Sequence, residues 1–69
     1  MITSNIFSKR LKKIRQEHKL TQIELANMLG ISQKSYSHWE TQKTEPNYEN
    51  LVKLADLFEV SLDWLFGRE

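Results

Sequence analysis

Cysteine is absent from this chain of 69 residues. No disulfide framework or thiolate metal site is therefore available, and apolar packing alone must hold the fold, as suits the reducing cytoplasm in which we expect the protein to work. Proline occurs once and glycine twice. Gly30 and Gly67 each read as a helix stop, so nothing remains from which to build a glycine-rich phosphate loop. Long apolar runs are missing too. The opening "MITSNIFSKR" has no charged head followed by an apolar core, and no stretch approaches the ~18–20 apolar residues that spanning a bilayer requires. A soluble protein without a membrane partner is expected. His18 and His38 lie far apart, and together with Glu40 they lack any usual metal-ligand or acid–base spacing. Neither a metal, a catalytic residue nor a cofactor is expected, and no small-molecule ligand is evident. The length sets a further bound, since it suffices for a single small domain over residues 1–69 whose core must be efficiently packed.

Net charge is scarce at +1, yet it is unevenly placed. Residues 1–19 carry Lys9, Arg10, Lys12, Lys13, Arg15 and Lys19 against Glu17, a balance of +5. Residues 47–69 carry Lys53 and Arg68 against Glu49, Asp56, Glu59, Asp63 and Glu69, a balance of −3. The basic end suits phosphates, and it equally suits the solvated face of an ordinary first helix.

What is present is helical periodicity. Phe7, Leu11 and Ile14 recur at i, i+4, i+7, which predicts an amphipathic helix from Asn5 to about His18. "TQIE" sets Thr21 three residues before Glu24, a capping box that opens a second helix through Leu25, Ala26 and Leu29 to Gly30. Ser32 then caps a third helix almost where the second ends. "TQKTEP" has no apolar residue and ends in the sole proline, so it reads as a loop, with Asn47 capping a fourth helix striped by Leu51, Leu54, Ala55 and Phe58. In "SLDWLFG", Ser61 caps a short fifth helix, Asp63 favours its first turn and Gly67 ends it. The prediction is an all-α fold of five helices with no strand.

The third helix, "QKSYSHWE", divides into two arcs at about 100° per residue. Ser35, Tyr36, Trp39 and Glu40 share one, and Gln33, Lys34, Ser37, His38 and Thr41 share the other. The second arc holds hydrogen-bonding side chains that do not pair with one another, unlike the Glu/Lys pairs of a merely solvated face. A short helix, a glycine turn and a second helix with such an outer face form the helix-turn-helix pattern.

At this point the chain resembles the phage repressor and Cro family of five-helix, lambda-repressor-like DNA-binding domains, over nearly its whole length. "LTQIELA", "LGIS", the "WE" pair, "LVKLADLFEVS" and "LDWLF" all fall at that family's spacing. The resemblance implies a double-stranded DNA operator as partner, read as a homodimer. It implies base contacts from Gln33, Lys34, Ser37 and His38, and phosphate contacts from Thr21, Gln22, Thr41, Lys43 and Thr44. It also implies a partly buried ion pair between Arg15 and Glu40. Two departures stand out. Gln42 replaces a glycine common after the third helix, which puts the loop and the contacts of Lys43 and Thr44 in question. Glu59 replaces a glycine or asparagine, and a left-handed conformation there costs ~1 kcal/mol or more.

Tyr36, Trp39 and Phe58 are expected in the core, because their spacing is helical. Trp64 and Phe66 have two readings. As a surplus in a very short helix, they leave an apolar patch at the end opposite the basic helix, where the family forms two-fold dimers; otherwise both rings fold back onto helices 1 and 4. A second class of function shares the fold: an antitoxin or anti-repressor-like module whose main partner is a protein. Such a module has no need of Gln22, Gln33 and Lys34 together.

Overall fold

The computed structural model describes the backbone of residues 2–68 and the side chains from Asn5 to Arg68; Met1 and Glu69, the ends of the expected domain, lie outside the described residues. The chain forms α1 (Ile2–Glu17), α2 (Gln22–Leu29), α3 (Gln33–Glu40), α4 (Tyr48–Phe58) and α5 (Leu62–Leu65), and no strand occurs among the described residues. Helix α1 begins before Asn5, since neither glycine nor proline stands ahead of that residue to stop it.

Side-chain caps open the other four helices. Thr21 and Glu24 form the reciprocal capping box of α2, while Ser32, Asn47 and Ser61 accept the amides of Ser35, Asn50 and Trp64. Gly30 closes α2 at φ 74°, and the amide of Ile31 returns to the carbonyl of Ala26 at 3.0 Å. This closure leaves room for only Ile31 and Ser32 before α3 begins.

Each helix contributes its apolar stripe to one core. Phe7, Leu11 and Ile14 of α1 meet Leu25, Ala26 and Leu29 of α2, Tyr36 and Trp39 of α3, Leu54 and Phe58 of α4, and Leu65 of α5. Full burial of a large apolar side chain contributes ~1.5–3 kcal/mol, so these residues are the main opposition to chain entropy. Leu51, expected in the α4 stripe, packs at the edge of the core. Ser35, expected on the inward arc of α3, is exposed and meets the cap residue Ser32.

At the end of the chain the rings fold back onto α1, as the second of the two readings of Trp64 and Phe66 expects. Phe66 stacks on Phe7 with ring centroids 5.1 Å apart, and the Arg10 guanidinium lies 4.9 Å from the centre of the Trp64 ring while also donating to the Trp64 carbonyl. Helix α5 therefore packs against α1, the basic helix, and is not remote from it. Two aromatic rings on a one-turn helix must borrow cover from a neighbour, and Arg10 supplies both charge and stem.

Candidate nucleic-acid interface

The outer face of α3 is built from both sides of the helix. Inward, Tyr36 and Trp39 are buried and meet edge to face at 5.6 Å, locking the helix against rotation. Outward, Gln33 and Lys34 are exposed, and Ser37 and His38 are partly so. The four candidate base contacts thus share the open side of a helix whose opposite side is fixed in the core. Their donors and acceptors are of the types that read base edges.

The candidate phosphate contacts fall into two groups. At the start of α2, the Thr21 amide is committed to Glu24 Oε1 at 2.8 Å, and its hydroxyl oxygen accepts the Glu24 amide at 3.1 Å. Gln22 is half-buried, and its Nε2 donates to Glu40 Oε1 at 3.0 Å. Beyond α3, Thr41 turns its hydroxyl back onto the Ser37 carbonyl at 3.1 Å, so a phosphate contact there requires the hydroxyl to rotate. The amides of Lys43 and Thr44 both return to the His38 carbonyl, which leaves their exposed side chains as the groups that face solvent. Gln42 itself takes the left-handed turn at φ 67°, and its side chain donates to Asn5 Oδ1 at 3.0 Å, tying this loop to α1.

Arg15 and Glu40 form the expected ion pair, with Nε to Oε2 at 2.7 Å and Nη2 to Oε1 at 3.2 Å. The Glu40 side chain is only 3% exposed. Burial alone pushes its carboxyl upward, but hydrogen bonds from Arg15, Tyr36 and Gln22 outweigh that and hold it below the usual carboxylate range. Tyr36 is driven far above the usual phenol value, first by burial and then by its bond to Glu40. Arg15 is raised by Glu40, against the opposing effect of burial, and stays a cation.

The sequence reading missed three of these links. Tyr36 and Glu40 stand at i, i+4, so their bond was open to inference from helical spacing. Gln22–Glu40 and Asn5–Gln42 join distant segments and leave no local signal. Trp64 and Phe66 keep part of their surface exposed, but the most open large apolar side chains among the described residues are Tyr48 at 75%, Met28 at 54% and Ile23 at 53%. No helix among the described residues is long and apolar enough to cross a membrane.

The fold and the α2–α3 unit define a helix-turn-helix protein of the repressor type. The chain belongs to the helix-turn-helix family HTH_3, the Cro/C1 type, whose model matches residues 11–65. It is 44% identical over 59 residues to the cryptic phage CTXphi transcriptional repressor RstR of Vibrio cholerae, covering 86% of this chain and 53% of that protein. It is similar to the c2 repressor of Salmonella phage P22 in a crystal structure with a synthetic operator: TM-score 0.84, 34% identity, 93% of this chain and 97% of that one. The solution structure of the SOS-response repressor LexA from Eubacterium rectale superposes with TM-score 0.89 at 26% identity, covering 96% of this chain and 70% of that one. The chain spans about half the length of the first curated relatives it matches.

Proposed function

We propose that the chain is a sequence-specific double-stranded DNA-binding regulator of transcription, a repressor rather than an activator, which sets α3 in the major groove. The observation that carries the reading is the unpaired outer face of a core-locked helix: Gln33 and Lys34 exposed, Ser37 and His38 beside them, Tyr36 and Trp39 buried behind. Gln pairs in bidentate fashion with adenine, Lys donates to guanine, and Ser or His serves either. Gln22 and Thr21 at the N-terminal end of α2, with Lys43, Thr44 and Thr41 beyond α3, grip the phosphates on either side. The family, and the operator complex of the similar P22 c2 repressor, support this reading.

The protein acts as a homodimer on a roughly palindromic operator in the cytoplasm, with the surface of Trp64 and Phe66 that α1 leaves uncovered meeting its copy across a two-fold axis. Neither a metal nor a cofactor takes part, and the chain is not an enzyme. Selection of bound sites from a random duplex pool tests the reading. Enrichment of a motif repeated in inverted orientation supports it, whereas no enrichment over the input pool favours a protein-interaction module of the same fold.

A further inference from the structure

We infer that Glu40 and Tyr36 are positioning residues for DNA: Tyr36, rooted in the core, fixes the Glu40 carboxylate, and that carboxylate aims the Gln22 carboxamide at the phosphate. The inference rests on the reading of Gln22 as a phosphate contact. Glu40 Oε2 accepts from Arg15 Nε at 2.7 Å and from the Tyr36 hydroxyl, and Oε1 accepts from Arg15 Nη2 at 3.2 Å and Gln22 Nε2 at 3.0 Å. Arg15 is itself anchored, since Nη1 donates to the Leu20 carbonyl at 2.7 Å. The carboxylate cannot turn without breaking bonds on both oxygens.

Of the four side chains, Tyr36 is wholly buried and Arg15 and Glu40 nearly so, whereas Gln22 reaches solvent. The network therefore ends, on its outer side, at the Gln22 amide. That nitrogen carries two protons. Glu40 holds one, and the planarity of the group sends the other away from the carboxylate. A phosphate is an acceptor, as is Glu40, so the side chain between them must donate in both directions, which glutamine does and glutamate cannot. Arg15 has a second task here. By neutralising Glu40 it lets a carboxylate stand behind a phosphate contact without repelling the ligand. An unheld surface glutamine loses its rotamer freedom on binding, at a cost of roughly two- to tenfold in affinity, and the network has already met that cost in the folded protein.

The test is a double-mutant cycle of Tyr36→Phe and Gln22→Ala, read as affinity for random-sequence duplex at one fixed salt concentration, with each fold checked by its amide NMR spectrum. Tyr36→Phe keeps the ring in the core and removes only the hydroxyl. Because Arg15 still holds both oxygens of Glu40, the variant is expected to weaken binding by part of that rotamer cost, about twofold, when Gln22 is present and to have no further effect in Gln22→Ala. An equal factor in both backgrounds, or no loss in either, overturns the inference. A second measurement needs no DNA: the side-chain amide of Gln22 is expected to be as ordered as the backbone, unlike that of exposed Gln33, and to lose part of that order in Tyr36→Phe. A mobile Gln22 amide in a protein that binds duplex removes the inference alone. Failure of the unsubstituted protein to bind any duplex removes the DNA reading and the inference with it.

Discussion

Glu40 concentrates the residue-scale physics of this protein, because it is an almost fully buried carboxylate saturated by four donors. Removing one partner of such a pair leaves the other charge desolvated, so Glu40→Ala is expected to destabilise the fold by ~3–5 kcal/mol in urea melts. Replacing Arg15 and Glu40 together with apolar side chains of similar volume is expected to recover much of that loss; a double variant no better than Glu40→Ala would contradict a pairwise cause. The pH dependence has a definite sign. Glu40 is lowered in the fold, so its contribution is present above the unfolded carboxylate value of ~4.3 and is lost as pH falls through the lower folded value. Tyr36 is raised, so its contribution is present below the unfolded phenol value of ~10 and is lost as pH rises above it. Stability differences between the wild type and Glu40→Gln should therefore shrink in acid, and those between the wild type and Tyr36→Phe should shrink in alkali and, because the Tyr36 hydroxyl donates to the Glu40 carboxylate, in acid as well. The Arg15–Glu40 pair was legible through the family's spacing. The bond to Gln22 was not, because it depends on how closely α2 passes α3, which no local pattern encodes.

Among the elements, helix starts were easier to read than the turns between them. Each cap from Thr21 to Ser61 is a short polar side chain whose hydrogen bond is local, and all four form as the sequence predicts. The turns hold three left-handed residues that are not glycine: Lys19 at φ 58°, Gln42 at φ 67° and Glu59 at φ 57°. Glu59 and Gln42 were suspect because glycine is common at their positions, whereas nothing about Lys19 marks the turn out of α1. At Glu59 the conformation costs ~1–2 kcal/mol, partly balanced by the entropy a glycine would lose, so Glu59→Gly is expected to raise stability by up to ~1 kcal/mol. An unchanged or lower urea midpoint would show that the side chain compensates. The two glycines are not equivalent. A Cβ at Gly30, φ 74°, meets nothing within 4 Å, whereas one at Gly67, φ 71°, falls 2.8 Å from Ile6 Cγ2. Both alanine variants are strained by the positive φ, and Gly67→Ala must in addition displace Ile6. It is expected to be the more damaging, by ~1 kcal/mol or more, in thermal melts of the pair.

On the scale of the whole molecule, the helix count and the core could be read from periodicity, whereas the relation of α5 to α1 stayed one of two alternatives until the contacts decided it. The sequence placed a basic end and an aromatic end apart; folding brings Phe66 onto Phe7 and Arg10 over Trp64. Long-range contacts of this kind follow from what each surface lacks, here cover for two rings, rather than from the order of residues. The proposed dimer then has only the outer remainder of α5 to work with, so self-association without DNA should be weak and the duplex should supply most of the effective concentration. Two recognition helices related by a two-fold axis lie one turn of DNA apart, about 34 Å, which predicts inverted half-sites with centres ~10 base pairs apart. Trp64→Gln alone, which spares the stack of Phe66 on Phe7, is expected to leave binding to one half-site nearly intact and to reduce cooperativity between two. Retained cooperativity in a folded variant would move the interface elsewhere, Tyr48 being the most exposed large apolar side chain among the described residues.

The central claim is that α3 reads bases while the start of α2 grips phosphates, and the ratio of operator to random-duplex affinity tests it most directly. Measured at one salt concentration, Gln33→Ala and Lys34→Ala are each expected to lower operator affinity by ~1–3 kcal/mol with much smaller losses on random duplex, so the ratio falls. Gln22→Ala is expected to weaken both and leave the ratio nearly unchanged. Equal losses on operator and random DNA for all three variants would contradict the account.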